Sequence, residues 1–243
     1  MKTIVITGGS RGIGAATAKA CAERGMNVLL TYNKRSKAAK AIVREIKANG
    51  GSAQALCLDV EDVAAFAAFA AQVSTILAGT PLHGLVNNAG FGLYNPIDTV
   101  TPDQFDSLYA VHLKGPFFLT QALVPLMTPG SAVVNLTSAT TRVATAGVAP
   151  YASFKGGLDV LTRYQAKEYG EGRIRVNAVS PCAIRTELGG GLTPEFEAIL
   201  SEQTALGRVG EPDEVGRVIA ALLSDDLGWV NGQSIEVGGG YCL

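Results

Sequence analysis

The 243-residue chain lacks an excess of charge of either sign: 20 Lys and Arg face 21 Asp and Glu, a formal net charge of -1. Without such an excess it cannot neutralise a run of phosphates, so no nucleic-acid partner is expected. Charged residues make only 17% and hydrophobic ones 47%, which excludes a polar, disordered chain. Long apolar runs are missing too, with no stretch near the roughly 18 residues of a membrane span. The opening Met1-Lys2-Thr3-Ile4-Val5-Ile6-Thr7 is apolar for a few residues only and lacks the features of a secretory signal. A cytoplasmic protein with no membrane partner is expected. Cysteine is sparse: Cys21, Cys57, Cys182 and Cys242 form no C-x-x-C pair, which points to reduced thiols and no metal site. No linker, repeat or low-complexity segment interrupts the chain. It reads as one domain over residues 1–243, long enough to bury a core without staples. Glycine, in contrast, is plentiful at 29, implying many tight turns or close backbone approaches to a ligand.

Two kinds of segment alternate. Short β-branched or apolar runs at residues 3–7, 27–32, 53–58, 84–87, 132–136, 175–179 and 234–237 read as buried strands. Between them lie helical patterns at residues 15–24, 36–49, 63–77, 102–127, 151–169 and 212–223. Ser36 is expected to cap the second helix, and Asn49-Gly50-Gly51 to stop it. Gly115-Pro116 is expected to kink the fourth, because proline removes a hydrogen bond and clashes with the preceding turn. The alternation predicts an α/β fold, a doubly wound, mainly parallel seven-stranded sheet with helices on both faces. Residues 187–206, with Gly189-Gly190-Gly191, break the pattern and read as a mobile loop carrying short helices, placed to cover a ligand.

The first strand runs into Gly8-Gly9-Ser10-Arg11-Gly12-Ile13-Gly14 and then a helix. Small residues at such a turn let a pyrophosphate approach the backbone, and the helix N-terminus offers unpaired N–H groups. Three glycines can equally be only a turn. The spacing T-G-x-x-x-G-x-G resembles the short-chain dehydrogenase/reductase family. Asn87-Asn88-Ala89-Gly90, Ser138, Tyr151-x-x-x-Lys155, Pro181, Thr186 and Asn231-Gly232-Gln233 follow in the family's order and spacing, over essentially the whole chain. The resemblance implies a Rossmann-like fold of this class and an NAD(P)-dependent oxidoreductase that interconverts a carbonyl and a secondary alcohol. It implies coenzyme contacts from Gly8, Ser10, Arg11, Gly12, Ile13 and Gly14 in the loop, and from Asn87, Ala89 and Gly90 after the fourth strand. Pro181, Ile184 and Thr186 fall beside the nicotinamide, and Lys155 on its ribose.

Tyr151 and Lys155 are four apart at a helix start, hence on one face. A phenol of pKa about 10 needs a shift of about three units, roughly 4 kcal/mol, to act as a base near neutrality. An ammonium about 4 Å away at an effective dielectric near 20 supplies roughly that much. By the resemblance, Ser138 holds the substrate oxygen and Tyr151 is the general acid/base. An ordinary surface Tyr–Lys pair is the bland alternative.

Two positions depart from the family pattern. His112, in Val111-His112-Leu113-Lys114-Gly115, stands where an Asn is usual; it either joins the proton relay to Lys155, titrating near neutrality, or packs a helix. Cys182 replaces a glycine after Pro181; it either narrows the pocket or offers a thiol.

No acid ends the second strand, where one would bind an adenosine 2′-hydroxyl. Asn33, Lys34 and Arg35 stand there instead, with Arg11 nearby, and NADP(H) is therefore favoured over NAD(H). A solvated loop is the alternative. Asp59 and Val60 are expected against the adenine. Alternative functions are a non-catalytic nucleotide-binding regulator on the same fold, a methyltransferase, and an NAD(H)-dependent alcohol, sugar or steroid dehydrogenase. The substrate is expected to be a small carbonyl or alcohol, in a pocket made partly apolar by Phe91, Leu93, Tyr94, Val143 and Leu188. Arg142 meets an anionic substrate there or is solvated. The family resemblance implies a homotetramer or homodimer through the fourth and fifth helices and the C-terminal segment.

Overall fold

The computed structural model describes residues 1–243. The apolar runs form β1 (Thr3–Ile6), β2 (Asn27–Tyr32), β3 (Ser52–Cys57), β4 (Leu82–Asn87), β5 (Met127–Leu136), β6 (Arg175–Pro181) and β7 (Ser234–Val237). They make one seven-stranded sheet in the order β3-β2-β1-β4-β5-β6-β7, every neighbouring pair parallel. The order reverses between β1 and β4. Ligands of doubly wound sheets sit at such a switch point, beyond the carboxyl ends of the strands.

The crossovers are α1 (Gly12–Glu23), α2 (Ser36–Ala48), α3 (Phe66–Leu77), α4 (Pro102–Tyr109), α5 (Gly115–Leu123), α6 (Ala149–Glu168), α7 (Pro194–Glu202) and α8 (Pro212–Leu222). One core joins β1, β2, β5 and β6 to α1, α2 and α8 through residues such as Ile6, Leu30, Val134, Val179 and Ile219. A second, including Leu85, Phe69, Leu119 and Val176, fills the opposite face. No helix is long and apolar enough to cross a membrane.

Three local expectations change. Ser36 is the first residue of α2 rather than its cap; Arg35 holds that position, with no side-chain bond to the helix. The fourth helical pattern is bent by a π-helical segment, Ala110–Lys114, ahead of Pro116. Pro116 lies in the first turn of α5, where proline is tolerated. A π segment widens the turn and commonly marks a functional position; this one carries His112. Gly115, which follows it, packs directly on the turn beyond β3: a Cβ there would lie 2.4 Å from the Val60 carbonyl oxygen. Finally, the helix ends at Leu123, and β5 begins at Met127, earlier than the apolar run suggests, by pairing Met127 with Leu82.

Candidate active site

The loop after β1 can close only with glycine. Gly8 has φ +67°, and a Cβ there would lie 2.9 Å from the Ala89 Cα; one on Gly14 would lie 2.4 Å from the Gly8 carbonyl oxygen. Arg11 precedes α1 in an extended conformation, with no side-chain cap and no acid in the first turn. The first amides of α1 are thus left for an anion. Thr7 stitches this loop to the residues after β4. Its hydroxyl donates to the Val86 carbonyl and accepts from the amides of Asn88 and Ala89, at 2.9 Å each. The Asn88 side-chain amide donates to the carbonyls of Thr7 and Gly8.

Asn87, expected at the coenzyme, lies elsewhere. It is buried and donates to Thr120 Oγ1 at 3.0 Å and Asn135 Oδ1 at 2.8 Å. Asn135 in turn donates to Thr162 and Gln165 of α6. The pair is a polar peg that fixes α5 and α6 on the sheet, and Asn88 is the residue that faces the cavity.

A cavity of about 940 Å³ opens at the switch point. It gathers Gly8, Ser10, Arg11, Gly12, Ile13 and Gly14 of the loop, with Ala89 and Gly90. Asn33, Lys34, Arg35, Asp59 and Val60 line it as well, as do Pro181, Ile184 and Thr186, the last lying close to Gly12 of the loop. Asp59 also accepts from the Glu61 amide, which shapes its own turn. Arg11 and Arg35 both donate to one oxygen of Glu187, at 2.9 and 3.1 Å.

Ser138, Tyr151, Lys155 and His112 line the cavity too. Ser138 follows β5, and its hydroxyl accepts from the amide and hydroxyl of Thr140. Lys155 is only 4% exposed, and its ammonium donates to the Leu136 carbonyl at 2.5 Å. It lies 5.6 Å from the centroid of the Tyr151 ring. Burial pushes Lys155 down to about 7. Burial also pushes the Tyr151 phenol up, partly offset by the Ser138 hydroxyl beside it. The expected lowering of Tyr151 by Lys155 is therefore not what the protein's own groups produce: the ammonium is aimed at a carbonyl, and burial dominates both groups.

His112 is 1% exposed, and its ring stands edge-on to Tyr151, centroids 4.9 Å apart. Its Nε2 lies 2.9 Å from the Phe91 carbonyl oxygen, a bond that makes Nε2 the protonated nitrogen. Nδ1 is buried with no hydrogen-bond partner. Burial, then the Lys155 charge, hold the imidazole well below its ordinary 6.5. His112 is thus neutral near pH 7, contrary to the expected titration there.

The other half of the cavity is apolar. Phe91, Val143 and Leu188 line it as expected, joined by Phe196, Ile199 and Leu200 of α7, whereas Leu93 and Tyr94 do not. A Cβ on Gly147 would lie 2.7 Å from the Tyr94 ring, so that ring covers the neighbouring loop. Arg142 is neither a free anion site nor simply solvated. It pairs with both oxygens of Glu236 at 3.0 and 2.7 Å and donates to the carbonyls of Tyr241 and Cys242. This ties the C-terminal tail to the Ser138 loop, and Tyr241 and Cys242 complete the cavity wall. Cys182 packs on Gly238, where a Cβ would clash with its sulfur. Burial, then Glu236, push its thiol up to about 12, which leaves it unreactive.

Residues 8–242 match the family described as enoyl-(acyl carrier protein) reductase. A short-chain dehydrogenase/reductase from Serratia marcescens superimposes with a TM-score of 0.94 at 31% identity, covering 100% of this chain and 98% of that one. The chain belongs to the short-chain dehydrogenase/reductase family.

Versicolorin reductase 1 of Aspergillus parasiticus is 37% identical over 98% of the chain and 95% of its own length. The 3-oxoacyl-acyl-carrier-protein reductase of Staphylococcus aureus is 34% identical over 100% and 98%. An angucycline C-6 ketoreductase with bound NADP superimposes at TM-score 0.93, with 33% identity over 99% of this chain and 95% of its own. This short-chain dehydrogenase/reductase is an NAD(P)-dependent oxidoreductase acting on carbonyl and alcohol groups. Its residues fit the coenzyme: the glycine cradle leaves no room for a Cβ, the first amides of α1 lack a side-chain cap, and Lys155 and His112 keep unspent bonding capacity inside the cavity.

Proposed function

We propose that this protein is an NADP(H)-dependent carbonyl reductase whose general acid is Tyr151, working on an uncharged, largely apolar ketone. The observation that carries the reading is the convergence of Ser138, Tyr151 and Lys155 on one cavity with the glycine loop.

A reduced nicotinamide supplies the hydride when bound. Ser138 Oγ orients the substrate oxygen by a hydrogen bond. Tyr151 Oη gives its proton to that oxygen as negative charge develops there, and its raised pKa keeps it protonated for the task. Lys155 Nζ, with one of its three donors spent on Leu136, holds the nicotinamide ribose with the donors that remain. His112 Nδ1 is an acceptor facing no protein donor, suited to position a water in the relay that reprotonates this pair. Gly8, Ser10, Gly12, Ile13 and Gly14 carry the pyrophosphate, while Asp59 and Val60 flank the adenine. Ala89, Gly90, Pro181, Ile184 and Thr186 hold the nicotinamide half.

Preference for NADP(H) is supported by Arg11, Arg35, Asn33 and Lys34 lining the cavity, and by NADP in related structures. The apolar walls from α7, with Arg142 spent on Glu236, support an uncharged substrate. Exposed Phe117 on α5 and Val160 on α6 support assembly of copies through these helices, a homotetramer or homodimer. We take the enzyme to be one cytoplasmic catalytic unit. Steady-state assays with NADPH and NADH over a panel of ketones test the reading: higher kcat/KM with NADPH supports it, and an NADH preference overturns the coenzyme assignment.

A further inference from the structure

We propose that Glu187 is a built-in competitor for the coenzyme's 2′-phosphate: its carboxylate sits between Arg11 and Arg35 and must leave when a phosphate dianion takes that place. The proposal rests on the NADP(H) reading above.

One oxygen of Glu187 accepts from Nη1 of Arg11, in the glycine loop, at 2.9 Å and from Nη1 of Arg35, beyond β2, at 3.1 Å. These two segments come from different crossovers, and Glu187 belongs to a third, on the substrate side of the cavity. The two guanidinium groups are thus already gathered around a single anion. A phosphate monoester offers three acceptor oxygens and up to two charges to the same donors, and guanidinium groups favour it over a single carboxylate oxygen. A carboxylate left within about 3 Å of that phosphate is repelled, so the two anions exclude each other. The ribose 2′-hydroxyl of NAD(H) carries no charge and leaves the Glu187 contacts in place.

Glu187 is also the first residue of the segment that covers the substrate half. Thr186 precedes it, and Gly189, Gly190 and Gly191 follow with φ of +66°, +103° and +89°. Three consecutive residues in the left-handed region form a joint between Glu187 and α7, which bears Phe196 and Ile199 of the apolar wall. Displacing Glu187 therefore releases the start of that segment, and NADP(H) does this where NAD(H) does not. The two arginines hold the Glu187 carboxyl below its ordinary range, which keeps it ionised and competing across the working pH.

The test uses the intact protein and two adenosine fragments, 2′,5′-ADP and 5′-AMP, with affinities measured by calorimetric titration. Glu187 is exposed, so Glu187→Gln removes charge without touching the core. The variant is expected to bind 2′,5′-ADP about three- to tenfold more tightly than the parent, the scale of two exposed ion pairs, and 5′-AMP unchanged. The gain narrows at high salt. In the parent, amide exchange across residues 188–191 rises with 2′,5′-ADP and not with 5′-AMP. Unchanged or weaker 2′,5′-ADP binding, equal tightening of both fragments, or equal exchange with both overturns the proposal while leaving the NADP(H) reading intact. A parent that does not distinguish the two fragments overturns that reading and the proposal together.

Discussion

Lys155 and Tyr151 share one face of α6, yet their polar ends answer to different partners. The Lys155 ammonium donates to the Leu136 carbonyl at 2.5 Å, while the phenol stands beside the Ser138 hydroxyl. Burial moves the lysine down to about 7 and the tyrosine up. The arrangement favours a protonated phenol beside a lysine whose charge is easily lost.

Activity follows from that ordering. Tyr151 keeps its proton to alkaline pH, so the charge on Lys155 is the first to go as pH rises. Reduction is expected to be fastest on the acid side and to fall as pH passes about 7. A kcat profile for ketone reduction checks this, and a rate that climbs through the same window contradicts it.

Stability carries a second signature of the buried ammonium. Between about 7 and the ordinary 10.5 the unfolded chain binds a proton at Lys155 that the folded chain does not. Stability therefore rises with pH through this window, and the destabilisation is complete below it. Lys155→Met is expected to unfold at higher temperature than the parent near pH 6, by a few kcal/mol of stability, and the difference should shrink toward pH 10. Thermal melts of both proteins across pH measure it; a difference independent of pH contradicts the account.

His112 has the same sign of shift and titrates in a lower window. Its folded pKa lies well below 6.5, so the stability of the neutral form is present above 6.5 and lost as pH falls below it. His112→Phe removes that acid loss and, by removing the Nδ1 acceptor while keeping a planar ring, alters the pH–rate profile. An unaltered profile overturns the relay role of His112.

The sequence pattern marked out the sheet, and it marked out Ser138, Tyr151 and Lys155, which the fold brings to one cavity, because both rest on local signals. Apolar strand runs, a glycine turn and a Tyr–Lys spacing each announce themselves within a few residues. What escaped it depends on contacts distant in sequence. Asn87 and Asn88 are adjacent and alike in composition, and only strand pleating sends Asn87 into the core and Asn88 to the loop. The π segment at Ala110–Lys114 is followed by Gly115, whose close approach to Val60, some fifty residues earlier, no local pattern announces. Arg142 looked free for substrate because its partners, Glu236 and the tail carbonyls, lie about a hundred residues away. Glu187 gave no signal alone, since its meaning depends on Arg11 and Arg35 meeting in space.

The Arg142 clamp has a readout of its own. Arg142→Gln loosens the C-terminal tail, and with it Tyr241 and Cys242 at the cavity wall. The KM for an apolar ketone is expected to rise about tenfold with kcat changed little, because uniform binding is lost rather than proton transfer. NADPH affinity stays constant. A proportional loss in kcat contradicts a purely positioning role.

The most direct measurement is NADPH oxidation by the parent and by Tyr151→Phe, with coenzyme binding followed in parallel by fluorescence. The account predicts that the variant binds NADPH as the parent does and reduces ketones at least about a hundredfold more slowly, the minimum worth of a general acid. Equal turnover by the two proteins contradicts it.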